Sequence, residues 1–272
     1  MKKRIFLWCI AAVCIFCSVS YAAGEVIGYN TRAMSPRPTS VSYGARVEEV
    51  TLGNYVADAV RDGTGAQFAL VCGGHLENSL LPGELTEEDV SGIFGRESSV
   101  MTVQVTPEQL WHLLSFCIST LQLNEEECLD AESGSDFFPQ VSGLEICFDV
   151  SQAPEKRLRT IALEDGTELK PDDDKSLLRA AISEELVAYA DDLPEEPKTA
   201  GTEEQLLIGY IRRQGTVSVP KAGRIRMIGS ADQTIFSNWK LGHILPYLLL
   251  VVLLLQLPKL KKRDPGTERR DI

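Results

Sequence analysis

Residues 248–255 form an unbroken aliphatic run within a segment, 241–257, that is otherwise interrupted by Gly242, His243, Pro246 and Gln256. Few helices of a water-soluble domain carry such a run. At about 17 residues the segment lies near the lower limit for crossing a bilayer. Trp239 and Tyr247 suit the membrane interface, and Lys259, Lys261, Lys262 and Arg263 follow directly. Clustered Lys and Arg beyond an apolar span stay on the cytoplasmic side. The expectation is a transmembrane helix at 241–257 and a basic cytoplasmic tail at 258–272, with a buried core helix as the competing explanation.

The other end carries a second address. Lys2, Lys3 and Arg4 precede an apolar stretch at 5–19, and small residues at Ala22 and Ala23 offer a cleavage position. This is the layout of a secretory signal peptide, here 1–23. Together the two ends predict a single-pass protein of the cytoplasmic membrane, with its domain facing the periplasm or cell exterior. The formal net charge of −12, with both termini basic, makes the middle strongly acidic. Such a surface repels phosphate backbones, so nucleic acid is not an expected partner. Cys72, Cys117, Cys128 and Cys147 remain in the exported part. Disulfides form in that compartment, and four cysteines leave three connectivities open. No C-x-x-C is present, so neither a zinc site nor a redox motif is expected.

Between the ends, the pattern alternates helices and strands without regular βαβ spacing. Residues 24–45 read as an irregular lead-in around Pro36 and Pro38. A helix is expected over 51–61, with Leu52, Val56, Ala59 and Val60 apolar, then a buried strand over 67–72 ending at Gly73 and Gly74. Thr86 and Thr106 each look like helix caps, the second with Pro107 at the first helical position and Gln109 completing a capping box. Strands are expected over 99–105, 143–150, 157–163, 177–182 and 223–228, a loop over 191–202, and an amphipathic helix over 203–213. This is an α+β domain with a single mixed sheet, spanning 46–229 and joined to the anchor by a juxtamembrane linker at 230–240.

Several segments in order resemble the C-terminal, substrate-binding domain of the 5′-nucleotidase family. Arg46, Glu49, Leu52, Gly53 and Asn54, continuing to Asp58 and Ala59, follow the family's R-x-x-E-x-x-L-G-N…D-A opening. Cys72-Gly73-Gly74-His75-Leu76-Glu77 stands where the family has N-G-G-G-I-R, and Phe94-Gly95-Arg96 falls on P-F-G-N. Phe138-Pro139-Gln140-Val141-Ser142-Gly143 is close to F-x-Q-V-S-G. The resemblance implies substrate contacts at Arg46, Gly73, Gly74 and Phe94. A nucleotide needs cations, backbone amides at a glycine turn and aromatic faces for the base. Without the resemblance, Arg46 would be assigned to an ion pair with Glu48 or Glu49, and Phe94 to the core.

The departures from the pattern are at Cys72, which replaces the family's asparagine, and Glu77, which reverses the charge of its second arginine. The G-G-D-G-F/Y motif that carries the second clamping ring is not found, although Tyr189 lies in that region. In this family a separate N-terminal domain holds two metal ions. Here His75, His112 and His243 are too few and too scattered for such a site. No catalytic residue, metal or cofactor is therefore expected. The resemblance implies a non-catalytic binding or accessory module for a nucleoside or nucleotide-like ligand. The alternatives are one half of a split nucleotide hydrolase, completed by an exported metallophosphatase chain, and a purely structural interaction domain.

Overall fold

The structure is a computed structural model that describes residues 24–39, 44–123, 129, 134–190 and 192–229. The signal peptide, the linker, the 241–257 segment, the basic tail and Cys128 lie outside the described residues. Among the described residues no helix is long and apolar enough to cross a membrane.

The chain runs through β1 (Gly28–Asn30), α1 (Thr51–Thr64), β2 (Phe68–Cys72), a 3-10 turn (Gly73–His75) and β3 (Gly83–Leu85). It continues with α2 (Glu87–Ser91), β4 (Ser99–Val105), α3 (Pro107–Ser119), β5 (Pro139–Ser142), β6 (Leu144–Asp149) and β7 (Leu158–Leu163). The last elements are β8 (Leu178–Ser183), α4 (Glu184–Val187), β9 (Lys198–Thr202), α5 (Glu203–Gln214), β10 (Thr216–Val217) and β11 (Ile225–Ile228). A five-stranded mixed sheet in the order β5-β2-β8-β4-β9 forms the centre, flanked by two three-stranded sheets, β11-β6-β7 and β10-β1-β3. Among the described residues the expected single sheet is therefore three sheets.

Why β2 sits in the middle follows from its side chains. Phe68, Leu70 and Cys72 point to one face and pack with Leu110, Leu113, Leu114 and Cys117 of α3. Ala69 and Val71 point to the other face and join Leu52, Val56, Ala59 and Val60 of α1 with Leu207 and Ile211 of α5. All five residues of β2 are buried, the pattern of a strand covered on both faces. Capping boxes start α2 at Thr86, α3 at Thr106 and α5 at Thr202. Each Thr side chain accepts the third residue's N–H while that residue's side chain accepts the cap N–H.

Two further expectations need correction. The 24–45 lead-in is not irregular throughout, because β1 pairs antiparallel with β3 and parallel with β10. The 191–202 segment is not all loop, because β9 pairs antiparallel with β4. Both strands are short and lack an apolar alternation. β1, the middle strand of its small sheet, and β9, at the edge of the five-stranded one, are both held by their backbone ladders, so their side chains need not announce them.

Candidate functional site

Arg46 lies in the turn before α1 and borders a cleft of about 530 Å³ with Arg37, Ala45, Leu76, Glu77 and Asn78. Its partner is neither Glu48 nor Glu49. Arg46 Nη1 is 2.6 Å from Asp136 Oδ1, and Nη2 donates to the Gly74 carbonyl at 3.4 Å. Glu77 is exposed at the same cleft. The cleft is thus lined by Arg37, Arg46 and Glu77, and Arg46 is already paired with Asp136. That balance suits an uncharged or weakly charged ligand better than a phosphate, whose binding requires surplus positive charge.

Gly73 and Gly74 serve their own chain. A Cβ on Gly73 would meet the Ala45 carbonyl oxygen at 1.8 Å, and one on Gly74 would meet Asp136 Cα at 2.5 Å. The glycines let the 3-10 turn press against the Arg46 loop and the segment before β5. Close backbone approach explains them without a ligand. Phe94 is half-buried against the core that contains Tyr55 and Leu76, and its backbone bridges Leu76. Tyr189 stacks on Phe116 with centroids 4.0 Å apart and meets Phe137 edge-on at 5.2 Å. Phe116 and Phe137 pack against the opposite core. The two rings are therefore engaged by different cores of the domain.

The other family motifs are architectural here. Gln140, fully buried, accepts the Val50 N–H and donates to the carbonyls of Ala45 and Glu48, pinning the Arg46 turn to β5. Ser142 donates to Asp58 Oδ1 at 2.6 Å.

Sequence reasoning missed the network around His75. The His75 side chain is fully buried, with Nδ1 3.1 and 3.0 Å from the two carboxylate oxygens of Glu203. Glu203, the first residue of α5, is itself buried and accepts the Ser183 hydroxyl at 2.5 Å. Ser183 Oγ in turn accepts the Cys72 N–H at 3.2 Å. Glu185 reaches in from α4, with Oε1 3.5 Å from His75 Nε2. Burial, reinforced by the charges of Glu203 and Glu185, pushes the Cys72 thiol well above its ordinary range. Among the described residues Cys72, Cys117 and Cys147 are free, buried thiols. The spacing C-x-x-H was the available signal, but its carboxylate partners are more than a hundred residues further on.

Comparison with known proteins gives the architecture its family. Residues 26–174 match the family described as 5′-nucleotidase, C-terminal domain. The chain belongs to this family. The N-terminal metallophosphatase domain is not detected. The chain is 25% identical over 144 residues to the trifunctional nucleotide phosphoesterase YfkN of Bacillus subtilis, covering 52% of this chain and 9% of that protein. Among solved structures it resembles a 5′-nucleotidase precursor from Thermus thermophilus, at a TM-score of 0.63 and 18% identity, over 84% of this chain and 43% of that one. It also resembles the NAD nucleotidase of Haemophilus influenzae, at a TM-score of 0.58 and 13% identity, over 76% and 38% of the two chains. It therefore spans less than half the length of each of these proteins, and the structural likenesses speak to fold. The family's dinuclear Asp, Asn and His ligand set has no counterpart among the described residues, where the cluster with ligand spacing holds one histidine, one thiol and one carboxylate.

Proposed function

We propose that this 5′-nucleotidase C-terminal domain is a non-catalytic binding module whose cleft beside Arg46 takes a nucleoside-like ligand in preference to a nucleotide. The observation behind this is the charge balance of the cleft, with Arg46 already paired to Asp136 and Glu77 exposed at its rim. A phosphate brought there meets a carboxylate where the family pattern has an arginine. Export by residues 1–23 and anchoring by 241–257 hold the module on the outer face of the cytoplasmic membrane. The basic residues after position 258 support that topology.

A second reading rests on the family assignment itself. The matched domain is the substrate-binding half of proteins that also carry a metallophosphatase domain, so an exported metallophosphatase chain docked here would make a split nucleotide hydrolase.

Titration calorimetry with adenosine and AMP on the purified chain tests the first reading. Adenosine should bind more tightly than AMP, Glu77→Arg should raise AMP affinity about tenfold, and Arg46→Ala should weaken both. AMP binding tighter than adenosine binding in the wild type would reject the proposal. Incubation with nucleotides and divalent metal should release no phosphate. Nucleotide hydrolysis recovered only when a co-purifying metallophosphatase is present would establish the split enzyme instead.

A further inference from the structure

We propose that Cys72, His75 and Glu185 form a mononuclear binding site for a divalent metal ion of the zinc class. One ligand atom from each lies within 4.8 Å of the other two. In a tetrahedral zinc site, with bonds of about 2.0–2.3 Å, neighbouring ligand atoms sit about 3.4–3.6 Å apart. The His75 Nε2 to Glu185 Oε1 separation is already 3.5 Å. A small rotamer adjustment brings the Cys72 sulfur to the same spacing. The observation that points to a ligand is His75 Nε2, a fully buried polar atom with no hydrogen-bond partner among the described residues. Such atoms are rare because leaving one unsatisfied costs its desolvation.

The surrounding groups orient the three ligands. Glu203 receives the Nδ1–H of His75, which leaves the Nε2 lone pair facing Cys72 and Glu185. A carboxylate behind a histidine is the common outer-shell partner of a metal-bound imidazole. Ser98 donates to Glu185 Oε2 at 2.8 Å, which leaves Oε1 for the ion. Arg96 Nε stands 3.8 Å from that same Oε1, and its side chain is 46% exposed, so it has room to withdraw when a cation arrives. Thiolate, imidazole and carboxylate are the donors zinc and cobalt accept, with water completing the fourth position. On binding, the thiol proton leaves to solvent and a metal–sulfur bond forms, with no change of oxidation state. The ion would tie the end of β2, the 3-10 turn and α4 together, and through Glu203 would include α5. This site is independent of the Arg46 cleft, so either proposal can fail without the other.

The test is cobalt titration of the reduced, metal-stripped full-length chain. One equivalent of Co²⁺ should produce a thiolate-to-cobalt charge-transfer band in the near ultraviolet with tetrahedral bands in the visible, and Zn²⁺ should abolish both. Cys72→Ser should remove the charge-transfer band, Glu185→Gln should weaken binding, and Glu203→Gln should lower affinity about 10–100-fold while keeping the spectrum. Cys117→Ser and Cys147→Ser should leave the wild-type spectrum intact. Absence of any cobalt spectrum in the wild type would overturn the site and leave His75 as a buried link between Glu203 and Glu185. A charge-transfer band surviving in Cys72→Ser would overturn it equally, and the wild-type result does not depend on a variant that might misfold.

Discussion

Arg224 and Asp58 grip each other through two parallel hydrogen bonds, Nη1 to Oδ1 at 2.7 Å and Nη2 to Oδ2 at 2.8 Å. The pair joins the residue just before β11 to the middle of α1. Arg224 also donates to the Val141 carbonyl of β5 at 2.8 Å, and the two side chains are only 17% and 22% exposed. Arg224→Met removes one partner and leaves Asp58 partly buried, so it should cost about 1–3 kcal/mol of stability. Urea unfolding measures this. Adding Asp58→Leu should recover part of the loss, because an unpaired charge is costlier than an apolar pair. A double variant no better than the sum of the singles would show that the fork is not what Arg224 contributes.

Gly73→Ala distinguishes packing from ligand approach. The added methyl would sit 1.8 Å from the Ala45 carbonyl and 3.0 Å from that of Phe138, both backbone atoms. The turn must move, at a cost of about 2–4 kcal/mol. Thermal unfolding should show a clear drop in Tm in buffer alone. An unchanged Tm with altered ligand binding would assign the glycine to the cleft.

Acid should erase one contribution to stability. The Ser151 hydroxyl and the Arg159 guanidinium hold the Asp149 carboxyl below its ordinary value. A carboxyl depressed in the folded state stabilises above its unfolded pKa, and that stability is lost as pH falls through the folded value. At pH 7, Asp149→Asn should therefore unfold at lower urea than the wild type. The gap should shrink below about pH 4 and close once both forms carry a neutral side chain. A gap that stays constant down to pH 2 would mean Asp149 acts by shape and not by charge.

Topology is open to direct measurement. Protease added to intact spheroplasts should digest residues 46–229 and leave an epitope on the 258–272 tail protected. A domain protected until the spheroplasts are lysed would reverse the orientation drawn from the basic tail.

Local chemistry made much of this domain legible in the sequence. The Thr106-Pro107-Glu108-Gln109 start, the strand at Ser99–Val105 and the wholly apolar β2 rest on interactions between near neighbours in the chain, and they appear where the pattern puts them. The ordered motifs from Arg46 to Ser142 likewise sufficed for the family, because the contacts they make, Gln140 to the Arg46 turn and Ser142 to Asp58, belong to the fold. Three matters were decided only in three dimensions. β1 and β9 exist because partner strands offer them hydrogen bonds, which no side-chain period records. Arg46 chose Asp136 over the nearer-in-sequence Glu48 and Glu49, because the glycine turn brings the 134–138 segment against it. Glu203 opens a helix whose pattern reads as a solvated acidic first turn, yet it is buried against His75, 128 positions away in the chain. Sequence carries information about neighbours along the chain, whereas a buried charge is defined by what the folded chain packs around it.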